Sequence, residues 1–318
     1  MKRSGVFLPT IVLFAVLSAA GCKGPKAGSG ERASTAPPPP SGEAKPAPYK
    51  YPAPLKGSIH EINVGRYDLV DGLAYVAGDG AGTVVFASSK PFASPVLADS
   101  PCPMTEARSL TILRNASWAE VTVDAKGLSK YFGYGKSFGG SGFDESPGGR
   151  DWKVYRRGSA AGRIAGTAVH REDGSFQFDL PVAVPAVREV SEKNRSDGRR
   201  ADPTAARPEE AAVTAAYDAV REGALSKNLK RILSAQGFGE KEIAAVRGLD
   251  GIDADLDAYA DRFLQPGTPT PGEFTARSGT AYVRTEGVNG KGKKFANYYH
   301  FNSCGNRLVL VSIAENPQ

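Results

Sequence analysis

Histidine and cysteine each occur only three times in the 318 residues, and tryptophan and methionine twice each. Cys22, Cys102 and Cys304 lie far apart, which gives a zinc framework or a thiol nucleophile no foundation. Neither does the chain need disulfide staples, because 41% hydrophobic residues over this length suffice for two domains with their own cores. Long apolar runs are missing as well. The run from Val6 to Leu17 is interrupted at Pro9 and falls short of the about 20 residues of a membrane helix. The folded part also lacks a net basic charge. Of the formal +6, residues 1–56 account for all, with eight Lys/Arg against two Asp/Glu; residues 57–206 hold eighteen of each and residues 207–318 fourteen of each. A nucleic-acid binder concentrates its cations on a folded face, so nucleic acid is not an expected partner.

Residues 1–22 have the order of an export signal: Lys2 and Arg3, the apolar run, then Ser18, Ala19, Ala20 and Gly21 before Cys22. Ala20-Gly21-Cys22 resembles the lipobox of bacterial lipoproteins, in which a small residue precedes a cysteine that is acylated and becomes the mature N-terminus. Ala19 departs from that pattern, which prefers leucine there; the nearest is Leu17. The resemblance implies cleavage before Cys22 and two or three acyl chains on it, which anchor firmly where one binds marginally. In Gram-negative members of that family, Asp after the cysteine retains the protein in the inner membrane. Lys23 stands there instead, which implies the periplasmic face of the outer membrane.

After a signal peptide over 1–21, residues 22–56 read as a tether. Eight of the eighteen residues 37–54 are proline, and such a stretch builds no core. It reaches about 30 Å as a coil and about 110 Å if polyproline-like throughout. Lys23, Lys26 and Arg32 suit an anionic lipid surface, each attracted by about 1 kcal/mol. A second break covers 188–206, where nine of the sixteen residues 188–203 are charged. It divides a β-rich domain, 57–187, from an α+β domain, 207–318.

In the first domain, β-branched and aromatic runs recur at 59–64, 73–76, 83–87, 110–113 and 118–123, the spacing of strands. Asp71-Gly72 and Glu172-Asp173-Gly174 read as hairpin turns, the latter between runs at 163–170 and 175–180. An all-β antiparallel sandwich or barrel is expected. Residues 127–150, with eight glycines among Tyr131, Phe132, Tyr134, Phe138 and Phe143, read as a long loop whose rings could contact a partner. Gly78-Asp79-Gly80-Ala81-Gly82 leads into a strand rather than a helix, so it is a turn and not a phosphate loop. Ser141 fails the nucleophile-elbow pattern because Phe143 stands where glycine is required. His170, Glu172 and Asp173 around a tight turn are ordinary solvated residues, and no metal or cofactor is expected.

The second domain begins with amphipathic helices. Val213, Tyr217 and Val220 share a face; so do Leu229, Ile232 and Leu233, then Ile243 and Val246, then Ile252, Leu256, Tyr259 and Phe263. Strands follow at 274–285, 295–303 and 308–313, the last apolar on both faces and therefore expected to be central. This order, helices and then a curled antiparallel sheet, resembles the nuclear transport factor two-like (cystatin-like cone) superfamily, whose members often hold a ligand or partner in the cone. Period-two geometry puts Tyr298, His300 and Asn302 on one face and Tyr299 with Phe301 on the other.

With Cys22 acylated, Cys102 and Cys304 remain in an oxidising compartment, and an interdomain disulfide between them is a candidate. No catalytic motif is present. The expected function is binding of a protein or envelope component by a membrane-anchored, non-enzymatic lipoprotein, in one version an immunity or inhibitor protein. The alternative is a small-ligand carrier or hydrolase using a pocket near His300.

Overall fold

The computed structural model describes residues 55–61, 65–76, 82–124, 129–136, 141–144, 152–157, 161–170, 174–185, 208–264, 275–277, 279–288 and 294–317. Cys22, the tether as far as residue 54, the charged stretch 188–206 and Phe138 lie outside them. The architecture is mixed α+β: a large sheet comes from the N-terminal part, and helices followed by a smaller sheet come from the C-terminal part.

Alternation of apolar and polar residues builds the large sheet. Along β10 (Gly174–Ala183), Phe176, Phe178 and Leu180 point inward while Ser175, Gln177, Asp179 and Pro181 face out. Its first lobe runs β2 (Gly65–Asp68), β1 (Leu55–Glu61), β10, β9 (Arg163–His170), β8 (Trp152–Arg157), all antiparallel. The second lobe is a meander of β3 (Asp71–Val76), β4 (Thr83–Ser88), β5 (Ser117–Val123), β6 (Ser129–Lys136) and β7 (Ser141–Asp144). The end of β10 joins the lobes: Val182 and Ala183 pair parallel with Ala74 and Tyr75. Pro181, which has no N–H for the ladder, stands where β10 leaves β9 for β3. The ten strands form an open sheet folded over on itself, not the closed barrel that was one expectation.

The two lobes bury Leu55, Ile59, Val85, Val121, Phe176 and Phe178 between them. Residues alternating with these on β3 and β4, namely Leu73, Tyr75, Val84 and Phe86, enter a second core on the opposite side, so the middle strands are apolar on both faces. Close packing here shapes the sequence. Asp71 and Gly72 open β3 rather than turn a hairpin; a Cβ on Gly72 would meet Leu55 Cδ1 at 2.6 Å and the Phe86 carbonyl oxygen at 2.9 Å.

Two helices interrupt the meander, α1 (Ser94–Leu97) and α2 (Pro103–Leu113), so the N-terminal part is not all-β. Residues 110–113, expected as a strand, are the last turn of α2. Pro103 at its first position fixes a helical φ, and Met104, Ala107 and Leu110 then line up every three residues. All eleven residues of α2 are buried. The expected long loop at 127–150 contains β6 and β7. Gly133 and Gly135 alternate with Phe132 and Tyr134 at the period of a strand, and β6 pairs with β5 from Ser117↔Lys136 to Val123↔Ser129.

The expected helices are α3 (Glu210–Leu225), α4 (Leu229–Ala235), α5 (Glu240–Arg247) and α6 (Ile252–Leu264). Asn228 caps α4 by accepting from Arg231 N at 3.0 Å. The small sheet follows in the order β11 (Thr275–Arg277), β12 (Thr280–Val288), β13 (Lys294–Cys304), β14 (Arg307–Pro317). Thus β14 is an edge strand rather than a central one. Its apolar character serves contacts off the ladder, because α2 packs against it and Gln236 Oε1 accepts from Leu310 N at 2.9 Å. Residues 45–318 form one compact unit. Leu73, Phe86 and Leu110 share a core with Val213, Ile232 and Val309, so the stretch 188–206 does not separate two independent cores.

Candidate functional site

The candidate surface is one face of the small sheet, built by alternation on two paired strands. Cross-strand register sets Tyr282 opposite His300, Arg284 opposite Tyr298, and Thr280 opposite Asn302. The rings of Tyr282 and Tyr298 meet edge to face at 5.5 Å, and those of Tyr282 and His300 lie 5.6 Å apart. Tyr298 and His300 are close to parallel, 23° apart at 6.4 Å. Arg284 places its guanidinium 6.0 Å from the Tyr298 ring and binds Glu286 at 2.7 Å. All three rings are half-buried.

The other face is sealed. Tyr299 and Phe301 are buried, and the Tyr299 ring packs at 4.8 Å from Tyr217 and 5.2 Å from Phe263. Tyr299 Oη donates to the Arg262 carbonyl at 2.8 Å. Burial pushes the phenols of Tyr217, Tyr259 and Tyr299 above their ordinary range, so they stay neutral and serve as packing.

Tyr298, His300 and Asn302 therefore share a face, but with unequal access: Tyr298 and His300 are half-buried and Asn302 is 4% exposed. Among the described residues nothing hydrogen-bonds Asn302 Oδ1 or Arg284 Nε. Tyr131, Phe132 and Tyr134 belong to β6 of the large sheet, so the structure does not bring the two expected contact groups onto one sheet; Phe138 is outside the described residues. Sequence reading missed Tyr282 and Arg284. Their signal is the alternation Tyr282-Val283-Arg284 beside a strand already read as half polar.

Cys102 and Cys304 are joined by a disulfide, Cα atoms 5.9 Å apart, at the N-terminus of α2. Buried charges surround that helix. Arg307 Nη2 donates to Glu106 Oε1 at 2.7 Å and to Cys304 Sγ at 2.7 Å; Arg108 pairs with Glu120, its guanidinium 5.7 Å from the Trp118 ring; Asp255 takes Lys90 at 2.6 Å and Arg114 at 3.2 Å. Burial raises the Glu106 carboxyl and lowers the Arg114 guanidinium, opposed by these partners. The pairs are struts between elements. Elsewhere a cleft of about 250 Å³ opens between Val76, Val123 and Ile164, with Asp124 and Arg156 on its wall. Among the described residues no three His, Cys, Asp or Glu group to hold a metal ion. The arrangement at the small sheet can stack and hydrogen-bond a partner. No protein-family model matches the chain, and neither the curated proteins nor the solved structures contain a match.

Proposed function

We propose that this chain is an acyl-anchored lipoprotein of the bacterial envelope whose folded part binds a protein or another envelope component without performing chemistry. The leader Ala20-Gly21-Cys22-Lys23 and the proline-rich tether support the anchor and an outer-membrane, periplasm-facing location. One observation carries the binding role: Tyr282, Arg284, Tyr298 and His300 form a contiguous half-buried face on the small sheet. Tyrosine and arginine are enriched among the residues that dominate interface energetics, because they bring large contact area and directed hydrogen bonds. Tyr282 and Tyr298 pack on His300 while Asn302 is buried, so the row offers ring surface more than a pocket wall; this favours a macromolecular partner over a small-ligand carrier or hydrolase. The helices-then-sheet order fits the cone superfamily, whose members often hold a ligand or partner.

Crosslinking in intact envelopes tests the reading. Wild type should yield one discrete partner adduct, and Tyr298→Ala or Arg284→Ala should reduce it by at least about tenfold, the loss of one hot-spot residue, with the melting transition retained. No reproducible adduct, or one that both variants preserve, would overturn the role. An immunity or inhibitor function predicts that the adduct contains a toxin-like enzyme.

A further inference from the structure

Sequence totals conceal a separation of charge across the fold. Strands β1, β2, β8, β9 and β10 of the first lobe hold six Lys/Arg against three Asp/Glu, whereas α3 to α6 hold six against nine. The lobe packs on one face of β3 to β5 and the helices belong to the core on the other, so the two excesses sit on opposite sides of the middle strands. From residue 57 on the chain is neutral by counting, yet its described strands and helices are dipolar in space.

The basic side is a sheet with one face buried and the other wet. Register places Lys56, Gln177, Thr167 and Tyr155 in one row across four strands, and Lys153 and Arg157 flank Tyr155 on the same face of β8. Lys56, Lys153, Arg157 and Arg66 are exposed, and Tyr155 is 58% exposed. Arg163 is paired with Asp179 at 2.9 Å, which leaves Asp68 as the acid on this face not so matched among the described residues. Leu55 opens β1, so the tether enters the fold at this lobe, and residues 23–54 carry five Lys/Arg against two Asp/Glu.

We propose that this face docks on the anionic headgroup surface of the membrane that anchors the chain; the inference rests on the acyl-anchor reading. Lys56, Lys153 and Arg157 lie over headgroup phosphates, and Tyr155 sits at headgroup level, where an amphipathic ring is favoured. Docking takes up the slack of the tether and turns the acidic helices away from the bilayer. Each Lys or Arg at an anionic surface contributes about fivefold in binding, so three give about 10²-fold.

Hydrogen exchange on the acylated full chain tests this, comparing vesicles of phosphatidylcholine alone with vesicles of equal parts phosphatidylcholine and phosphatidylglycerol. The β8 and β9 amides should exchange at least about tenfold more slowly on the anionic vesicles. The difference should disappear in high salt and in Lys153→Glu/Arg157→Glu, whose sites are exposed and leave the core intact. Equal exchange on both vesicles overturns the proposal, as does protection that survives the charge reversal or protection given by a soluble anionic polysaccharide and not by anionic vesicles. The mass of the Cys22 peptide reads the anchor separately. If it carries no acyl chains, the anchor reading fails alone, and cosedimentation of the same chain decides the face: binding to anionic vesicles that drops by at least about 25-fold in the double variant upholds it, and no binding ends it.

Discussion

Asp71 shows how much one buried side chain organises. Its Oδ1 accepts from Gly72 N at 2.8 Å and Ser94 Oγ at 2.5 Å, and its Oδ2 from Phe92 N at 2.8 Å, which pins the start of β3 to the turn before α1. Burial pushes its carboxyl up from 3.8 to about 6, and the hydrogen bonds from Ser94, Phe92 and Gly72 limit the rise. Between those values the folded state keeps a proton that the unfolded chain releases, so this residue's contribution falls as pH rises from about 4 to 6. Urea melts should show wild type losing about 3 kcal/mol relative to Asp71→Asn across that window, although the variant is weaker at low pH because its amide faces N–H donors. Glu106 makes the complementary case. Arg307→Ala strips a buried carboxylate of its cation and should cost about 3 kcal/mol in melts, with Glu106→Gln in that background recovering most of it. Neither site was legible in the sequence. Asp71 reads as half of a turn signal, and its partner Ser94 is 23 residues away; Glu106 and Arg307 are 201 apart.

Helices α3 to α6 were legible because each buries one stripe: Val213, Tyr217 and Val220, for example, are all inside while their neighbours face water. Helix α2 was not, because it is buried on every side and has no polar stripe to mark its period. Thr105, Glu106, Arg108 and Ser109 interrupt the apolar positions, and each is buried against a specific partner surface rather than exposed. The glycines of β6 hid a strand for a related reason, since composition suggested a loop while the ladder with β5 is set by backbone alone. On the candidate face, the Tyr298, His300 and Asn302 alternation was readable from period two; its pairing with Tyr282 and Arg284 needed the β12–β13 register. The disulfide ties α2 to β13 across 202 residues. Cys304→Ser should lower stability by about 2–5 kcal/mol, because the unfolded chain regains the freedom of a very long loop, and melts with and without reductant should converge only for the variant.

At the scale of the molecule, the order of layers differs from the order of the chain. The first lobe, the middle strands and α2 are complete by residue 183, yet the surface that covers α2 is supplied by β14, which ends at Pro317. Sequence reading divided the chain at its charged stretch because composition changes there, and composition cannot register that Leu110 and Val309 share one core. A chain stopped after Cys304 should therefore fail as a whole instead of losing one domain, binding a hydrophobic dye and sedimenting as aggregate where the full chain remains monodisperse. The same adjacency sets a timetable for assembly. The N-terminal half reaches the folding compartment first, and until the remaining hundred or so residues follow, α2 has no lid. The incomplete chain must be kept apart from its neighbours for that interval, and the strand that arrives last is the one that ends the wait.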